Sequence, residues 1–271
     1  MAKSIMRGMM KPRIIRIREP FSLLLQGRTV NAATLSLPGS LGGRHRRLIH
    51  VPSAKRCIMP MKLYTYPNGK NAAKSLVAAQ LVGVKIELPP FQMGVTNKTP
   101  EFLAKKNPHG KVPVLELDDG RCIFESNAIA RYVARLGGDS AKLFGTSTWD
   151  LGQVEMWIDV STNEIDAPLN SWVLPIIGVW PKDAAKEKAA QEAVRKGLAV
   201  LEKHLMTHTY LVGDTVTLAD IVCVCNLFPG FTVPGVFDAN FRKGFPNTTR
   251  YFTTVVNQPA FKKVLGEAKL C

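Results

Sequence analysis

The sequence contains few cysteines, and their spacing builds no disulfide framework. The five cysteines among 271 residues stand at positions 57, 122, 223, 225 and 271, and none belongs to a C-x-x-C motif. An odd number of cysteines without paired spacing is typical of reduced thiols in a reducing compartment. Cys223 and Cys225 lie two apart on a predicted helix, so they face different directions and make a poor metal pair. The pattern argues against a disulfide-stabilised secreted domain and against a zinc site.

Long apolar runs are also missing. No run approaches the length of about 18 residues that a membrane-spanning helix requires. The apolar content of 46% and the charged content of 21% are typical of a soluble globular protein. A chain of this length can form one large domain or two small domains with real cores.

Acidic residues are scarce at the beginning of the chain. Residues 1–60 hold twelve of the 36 Lys and Arg residues but only one of the 21 acidic residues, Glu19. This segment therefore carries +11 of the formal net charge of +15, and residues 61–271 carry only +4. The strongly basic character of the protein belongs to its first sixty residues.

The composition of residues 1–60 allows three interpretations. The segment shows no helical or strand period, and its arginine and serine content without acids resembles an organelle transit peptide. A basic tail also binds RNA through phosphate contacts. We favour a third interpretation: a basic, disordered extension, or sequence upstream of the natural start. Met61 suits a natural start because a strand begins there at once.

Residues 61–140 predict a small α/β module. A strand at 62–66, an Ala- and Leu-rich helix at 69–83 and a strand at 84–88 form a βαβ unit, which requires a parallel pair with a right-handed crossover. Two further strands, "VPVLEL" and "RCIF", are joined by Asp119-Gly120, a strong hairpin signal. A short helix after Thr99 and a longer one capped by Ser126 complete a mixed four-stranded sheet with helices, a thioredoxin-like arrangement.

Residues 147–271 predict helices only, after a linker at about 138–146. The capping-box spacing of Thr217 and Asp220 marks one helix start, and Pro259 opens the last helix. The expected helices are 149–165, 182–205, 217–228 and two short ones after Asn247. The chain is therefore expected to hold a basic extension at 1–60, an α/β module at 61–140 and an all-helical module at 147–271.

The stretch "GKVPVLELDDGRCIFESNAIARYV" carries the candidate binding residues. Val112-Pro113 predicts a cis bend that leaves the Val112 backbone groups free, and the helix start at Ser126 suits a carboxylate. Glu125 would accept from an ammonium, and Lys111 would meet a second carboxylate. A ligand with an amino-acid head, a peptide middle and a carboxylate tail fits this layout, and glutathione is such a ligand. A simple helix cap at Ser126 and a solvated Lys111 are the alternatives.

The order of "KVP", "ESNAIARYV" and "YLVGDTVTLADI" resembles the glutathione transferase fold over about residues 61–268. The wording of "FQMGVTNKTPEFLAKKNPHGKVPVLE" and "TVVNQPAFKKVLGE" is similar to the transferase-like N-terminal half of the elongation factor 1 gamma family, particularly its plant form. This resemblance implies a thioredoxin-like module followed by an all-helical one. It also implies a cytoplasmic homodimer that anchors the beta-type nucleotide-exchange subunit in protein synthesis, without a cofactor.

Two departures from the family pattern stand out, and the first limits the enzymatic alternative, conjugation of glutathione to electrophiles. Serine-type transferases activate the thiol of glutathione with a serine hydroxyl that follows the first strand. Alignment through Pro67 places Gly69 at the position of this serine. The glutathione thiol needs such a donor or a positive charge to ionise at neutral pH. The other donors near this position do not match the motif; these are Tyr64, Thr65, Tyr66 and Asn68. No catalytic residue is therefore assigned. The chain also stops at Cys271, where the family continues, which suggests a fragment or a short isoform.

Overall fold

The structure is a computed structural model that describes residues 61–271, with the side chains of all of these except 139 and 140. The predictions for residues 1–60 lie outside the described range. Four strands form one sheet in the order β2-β1-β3-β4, in which β1 runs parallel to β2 and antiparallel to β3. This confirms the predicted mixed sheet. The strands are β1 (Met61–Tyr64), β2 (Ile86–Glu87), β3 (Val114–Glu116) and β4 (Cys122–Phe124).

Helices cover both faces of the sheet. On one face, Leu63 and Leu115 are fully buried against Val77 and Ile129, which lie on two long helices. On the other face, the ring of Tyr64 meets the ring of Phe102 edge-on at 6.1 Å. The helices of this module are α1 (Lys70–Val82), α2 (Pro100–Lys105) and α3 (Ser126–Leu136).

Local signals set the ends of these helices. Thr99 caps α2, since its side chain accepts from the Phe102 N–H at 3.2 Å, and Pro100 opens the helix. Helix α1 ends at Gly83, whose φ of 71° is left-handed and therefore suits glycine. The hairpin turn likewise uses Gly120 at φ 82°. These three positions agree with the sequence-based predictions.

The second half of the described chain is helical. It contains two helices that the sequence analysis did not assign, α5 and α8. Helix α5 holds two prolines and α8 has five residues, so neither shows a clear helical period. The helices are α4 (Thr148–Val160), α5 (Ala167–Ile176), α6 (Ala184–Leu205), α7 (Leu218–Thr232), α8 (Ala239–Lys243), α9 (Pro246–Val256) and α10 (Pro259–Leu265).

A π-helical segment, Ser161–Asp166, joins α4 to α5. Helix α6 crosses this segment closely at Gly197. A Cβ atom at that position would lie 2.3 Å from the Glu164 carbonyl oxygen, which is closer than real contacts allow. Gly197 therefore permits the close packing of α6 on the wide turn.

The predicted capping box at the start of α7 is present and buried. The Asp220 carboxylate accepts from the Thr217 N–H at 2.8 Å and from its hydroxyl at 2.9 Å. It also accepts from the Leu211 N–H at 2.9 Å and the Tyr251 hydroxyl at 3.0 Å. Burial raises the pKa of Asp220. The four hydrogen bonds favour the charged form and oppose this rise, but burial has the larger effect. Asp220 thus ties three separate parts of the helical module together.

The α/β and helical modules belong to one compact unit. Helix α1 contacts α3 in its own module and both α7 and α10 in the helical module. The buried apolar residues of both modules form one continuous cluster. Among the residues that the structure describes, no helix is both long and apolar enough to cross a membrane.

Candidate functional site

The peptide bond between Val112 and Pro113 is cis, as predicted. It lies just before β3, which pairs with both β1 and β4. Asn107 holds the preceding residue, because its Nδ2 donates to the Lys111 carbonyl oxygen at 2.9 Å. Within residues 61–271, neither the N–H nor the C=O of Val112 has a hydrogen-bond partner. The bend therefore leaves one backbone donor and one acceptor for an extended ligand.

Helix α3 starts beside this bend. The hairpin register pairs Val114 with Phe124, and its continuation brings Val112 alongside Ser126. Glu125, which links β4 to α3, has φ 73° and ψ 115°. Side chains rarely adopt a positive φ, and such strained residues cluster where a binding site requires a special backbone geometry.

The prediction that Ser126 caps α3 was wrong by one residue. The structure places Glu125 at the cap position and Ser126 as the first residue of the helix. The Ile129 N–H donates to the Glu125 carbonyl oxygen at 2.9 Å, which begins the helical hydrogen bonding. Glutamate is neither a common cap nor a common left-handed residue, so the local sequence does not reveal this. The Ser126 hydroxyl is consequently not used to cap its own helix.

The start of α3 presents several unused donors. The N–H groups of Ser126, Asn127 and Ala128 have no acceptor within residues 61–271. The positive end of the helix dipole adds to these donors, so the position suits an anion such as a carboxylate. Glu125 is exposed beside them and can accept from an ammonium group. The arrangement matches the head of an amino acid.

Lys111 and Pro113 occupy different environments in this site. Pro113 is buried and serves to shape the bend. The Lys111 side chain is exposed, and no hydrogen bond or ion pair of this side chain occurs in the described part of the chain. Its role in holding a second carboxylate stays a prediction.

A cation that is absent from the predicted site residues lies directly beneath the α3 start. Lys74 of α1 is only 1% exposed, and its Nζ lies 3.1 Å from Asn127 Oδ1 and 3.5 Å from Ser126 Oγ. Burial lowers the pKa of Lys74 to about 8. A signal was present, since Lys74 stands at helical spacing from Val77 and Ala78 and so lies on the buried side of α1.

The start of α1 has no side-chain hydroxyl at the position of Gly69, which caps the helix without a side-chain hydrogen bond. Two of the four nearby donors are occupied, whereas the side chains of Tyr66 and Asn68 have no hydrogen bond in the described part of the chain, and the Tyr66 ring lies 3.2 Å from a Cβ atom placed on Gly69. The Tyr64 hydroxyl donates to Glu116 at 2.6 Å, and burial together with this bond raises the pKa of Tyr64. The Thr65 hydroxyl donates to the Tyr66 carbonyl oxygen at 3.3 Å. Gly69 itself supplies no group to ionise a ligand thiol, and the unoccupied donors beside it are Tyr66 and Asn68.

A cavity of about 480 Å³ borders the same loop on its other side. Its walls come from the loop after β1, the segment after β2 and the three helices α1, α7 and α10, and include Tyr66, Gly69, Phe91, Phe228 and Leu265. The lining is largely apolar and contains none of the five predicted binding residues. The cavity and the α3 start are therefore separate features of the fold.

Comparison with known proteins agrees with the resemblance noted in the sequence. Residues 59–135 match the model for the glutathione S-transferase N-terminal domain, and residues 163–259 match the C-terminal domain. A probable elongation factor 1-gamma 2 of Arabidopsis thaliana is 53% identical over 212 residues, which is 78% of this chain and 50% of that protein. Elongation factor 1-gamma 1 of Oryza sativa subsp. japonica is 51% identical over the same lengths.

The chain belongs to the elongation factor 1-gamma family through its glutathione transferase-like region. It spans about half the length of the curated relatives it matches. The GST-like domain of elongation factor 1-gamma from Saccharomyces cerevisiae has the same fold, with a TM-score of 0.65 at 21% identity over 78% of this chain and 95% of that one. A glutathione S-transferase-I bound to lactoylglutathione gives a TM-score of 0.65 at 28% identity, over 76% of this chain and 98% of that one.

Proposed function

We propose that the chain acts as a scaffold in protein synthesis, in which its transferase-like region holds a beta-type nucleotide-exchange subunit. The observation that carries this proposal is the identity of about half of the residues with elongation factor 1-gamma proteins over both modules. The glycine at position 69, where a serine-type transferase has a hydroxyl, favours a binding role over catalysis. The proposal also includes a cytoplasmic location and a homodimer. The molar mass of the purified full chain, measured by light scattering, would test the homodimer.

An exposed apolar groove between α5 and α6 gives such a partner a place to bind. Ile177, Val179 and Trp180 follow α5 and are 51%, 61% and 48% exposed. Of these three, Trp180 lines a cavity of about 570 Å³ between the two helices, and Ile177 and Val179 precede it in the chain. Clustered exposed apolar residues commonly mark protein interfaces, in which tryptophan often carries much of the binding energy.

The charge at the rim of this groove indicates which partner segment fits. Lys182 lies at the rim and has no ion pair in the described part of the chain, whereas the neighbouring Asp183 is already engaged by Lys186 and by the first N–H groups of α6. We therefore expect the exchange subunit to insert an apolar side chain flanked by acidic residues.

A pull-down with the purified beta-type exchange subunit at low salt tests both statements. The full-length chain should retain the subunit, and Trp180→Ala should reduce its affinity at least about tenfold. Trp149→Ala is the matched control, because Trp149 is 74% exposed and lies outside the groove. No retention by the wild-type chain would end the scaffold proposal. Equal retention by Trp180→Ala would end only the assignment of the groove.

A second candidate function is weak glutathione binding at the α3 start. The free backbone groups of Val112 support it, because they match the main chain of a peptide-like ligand. The donors at Ser126 suit the carboxylate of the amino-acid head, Glu125 suits its ammonium and Lys111 suits the distant carboxylate. The lactoylglutathione found in the related transferase shows that this fold accepts such ligands in that protein.

Calorimetric titration with glutathione tests the second candidate. Ser126→Ala should weaken binding by roughly 1–3 kcal/mol, the cost of losing a hydrogen bond to a charged group. Unchanged affinity would remove Ser126 from the site.

In a conjugation assay with an aryl halide, turnover should fall below the ordinary enzyme range of about 1–10³ per second. Turnover within that range would favour the enzymatic alternative.

A further inference from the structure

Lys74 is a buried ammonium group without a carboxylate partner in the described part of the chain. Only the amide oxygen of Asn127 and the hydroxyl of Ser126 lie within hydrogen-bond distance of its Nζ. No ion pair of Lys74 occurs among residues 61–271. A buried charge normally acquires a direct counter-ion, because its removal from water costs several kcal/mol. An unpaired lysine at this depth is therefore unusual.

The charged groups around Lys74 do not neutralise it. On α1, Lys70 is a second cation, and it takes the carboxylate of Asp166 in a direct ion pair and also donates to Asn170. On α7, burial raises the pKa of the Cys225 thiol to about 12, so this thiol is neutral. Glu125, at the start of α3, is exposed to solvent. The Asp166 carboxylate is thus shared with another cation, and the excess positive charge remains.

That excess charge lies directly behind the unused donors of the α3 start. Asn127 is itself held in place, since its Nδ2 donates to Thr162 Oγ1 at 2.9 Å. Lys74 Nζ approaches Ser126 Oγ from the protein side at 3.5 Å, a long hydrogen bond. An ammonium that donates to the Ser126 oxygen leaves the hydroxyl hydrogen to point outward, towards the bound ligand.

We propose that Lys74 is the positioning residue of the anion site at the start of α3, where it orients the Ser126 hydroxyl and supplies the counter-charge for a ligand carboxylate. This inference rests on the second candidate function, the binding of a glutathione-like ligand. The carboxylate would complete the set of interactions that Lys74 lacks in the free protein. Binding and protonation of Lys74 are then linked, because the anion favours the charged form.

The linkage sets the direction of the pH dependence. In the free protein, Lys74 is mostly charged at about pH 7 and loses its proton near pH 8. Affinity for the carboxylate should therefore fall as the pH rises from about 7 to 9.5. We expect this group to account for a loss of about tenfold, the effect of a charged hydrogen bond.

Calorimetric titration of the full-length chain with S-methylglutathione across this pH range tests the inference, because this ligand has no thiol to titrate. The comparison uses wild type, Lys74→Gln, Lys74→Arg and Ser126→Ala, with the exposed Lys188→Gln as control. The ligand amine titrates equally with all five proteins, so the difference between profiles reports the protein. Lys74→Gln should bind weakly with a flatter profile, and Lys74→Arg should keep its affinity at high pH.

The outcomes separate the two proposals. If Lys74→Gln does not fold, Lys74→Arg still decides, because its guanidinium stays charged over this pH range and should remove the fall in affinity. A wild-type profile shared by Lys74→Gln or by Lys74→Arg would overturn the role of Lys74 while leaving ligand binding intact. No binding of S-methylglutathione or glutathione by the wild-type chain would overturn the binding site itself.

Discussion

At the scale of single residues, the start of α1 differs from a serine-type active site through one position. Gly69 has a φ of −68°, which any residue can adopt, so the backbone does not require glycine there. A Cβ atom would lie 3.2 Å from two ring carbons of Tyr66, a tight contact that a small rotation of this exposed ring relieves. The missing hydroxyl is therefore a property of the residue and not of the fold.

Lys74 leads to a prediction about stability. We expect Lys74→Met to raise the free energy of unfolding by roughly 1–3 kcal/mol at about pH 7. The folded pKa of about 8 lies below the ordinary lysine value of 10.5, so the unfolded chain binds the proton more tightly and the charge opposes folding. This cost is complete below about pH 8 and fades as the pH approaches 10.5, where both states hold a neutral lysine.

Urea denaturation of the full-length chain at about pH 7 and pH 10 would measure this difference. Lys85→Met serves as the control, because Lys85 is exposed and its charge is solvated in both states. A Lys74→Met protein that is less stable than wild type at the lower pH would show that the ammonium stabilises the fold.

At the scale of elements, Asp220 shows how one side chain can organise a helix start. We expect Asp220→Ala to lower the free energy of unfolding by roughly 3–5 kcal/mol, because four buried donors lose their acceptor. Asp183→Ala is the matched control, since Asp183 caps α6 at the surface through two N–H groups. It should cost only about 0.5–2 kcal/mol. Equal losses in thermal or chemical unfolding would contradict the special role of the buried box.

The elements that the sequence predicts well have a local cause. Asp119-Gly120 forms its hairpin, Thr99 caps α2, and Thr217 with Asp220 forms the capping box, because each depends on side chains a few residues apart. These signals, together with the family motifs, were enough to derive the mixed sheet and the helical half.

The remaining features depend on packing between distant segments. The left-handed backbone at Glu125 arises from how β4 meets α3, and no local preference of glutamate predicts it. The burial of Lys74 depends on how α3 and α7 pack against its own helix, α1. The π-helical segment lies in close contact with α6, which the glycine at 197 permits, and these two segments are distant in sequence. The backbone bend of the site follows from the Val112-Pro113 pair, and the helical spacing of Lys74 places it on the buried side of α1, but its contact with Asn127 depends on how α3 packs.

At the scale of the whole molecule, side chains join the α/β module to the helical module. Lys70 of α1 pairs with Asp166, and Asn127 of α3 donates to Thr162. A backbone hydrogen bond also fixes the linker to α7, since the Leu218 N–H donates to the Leu143 carbonyl oxygen at 2.8 Å. Together with the shared apolar core, these contacts make the two modules depend on each other.

We therefore expect residues 61–271 to unfold in one cooperative transition. All four tryptophans lie in the helical module, so their fluorescence reports on that half. Hydrogen exchange of the β1 and β3 amides in the full-length chain reports on the other half. The two probes should give the same midpoint in urea. A sheet that loses protection well before the fluorescence changes would show that the modules unfold separately.

The wide turn between α4 and α5 has a consequence for how this chain can vary. Each residue of a regular helix rotates the next residue by about 100° around the helix axis. Removing one residue from 161–166 would swing α5 by more than a quarter turn and direct Asn170 away from Lys70. Insertions and deletions in this stretch should thus be far less tolerated than substitutions, because its length sets how α5 is oriented relative to α4 and to Lys70 of α1.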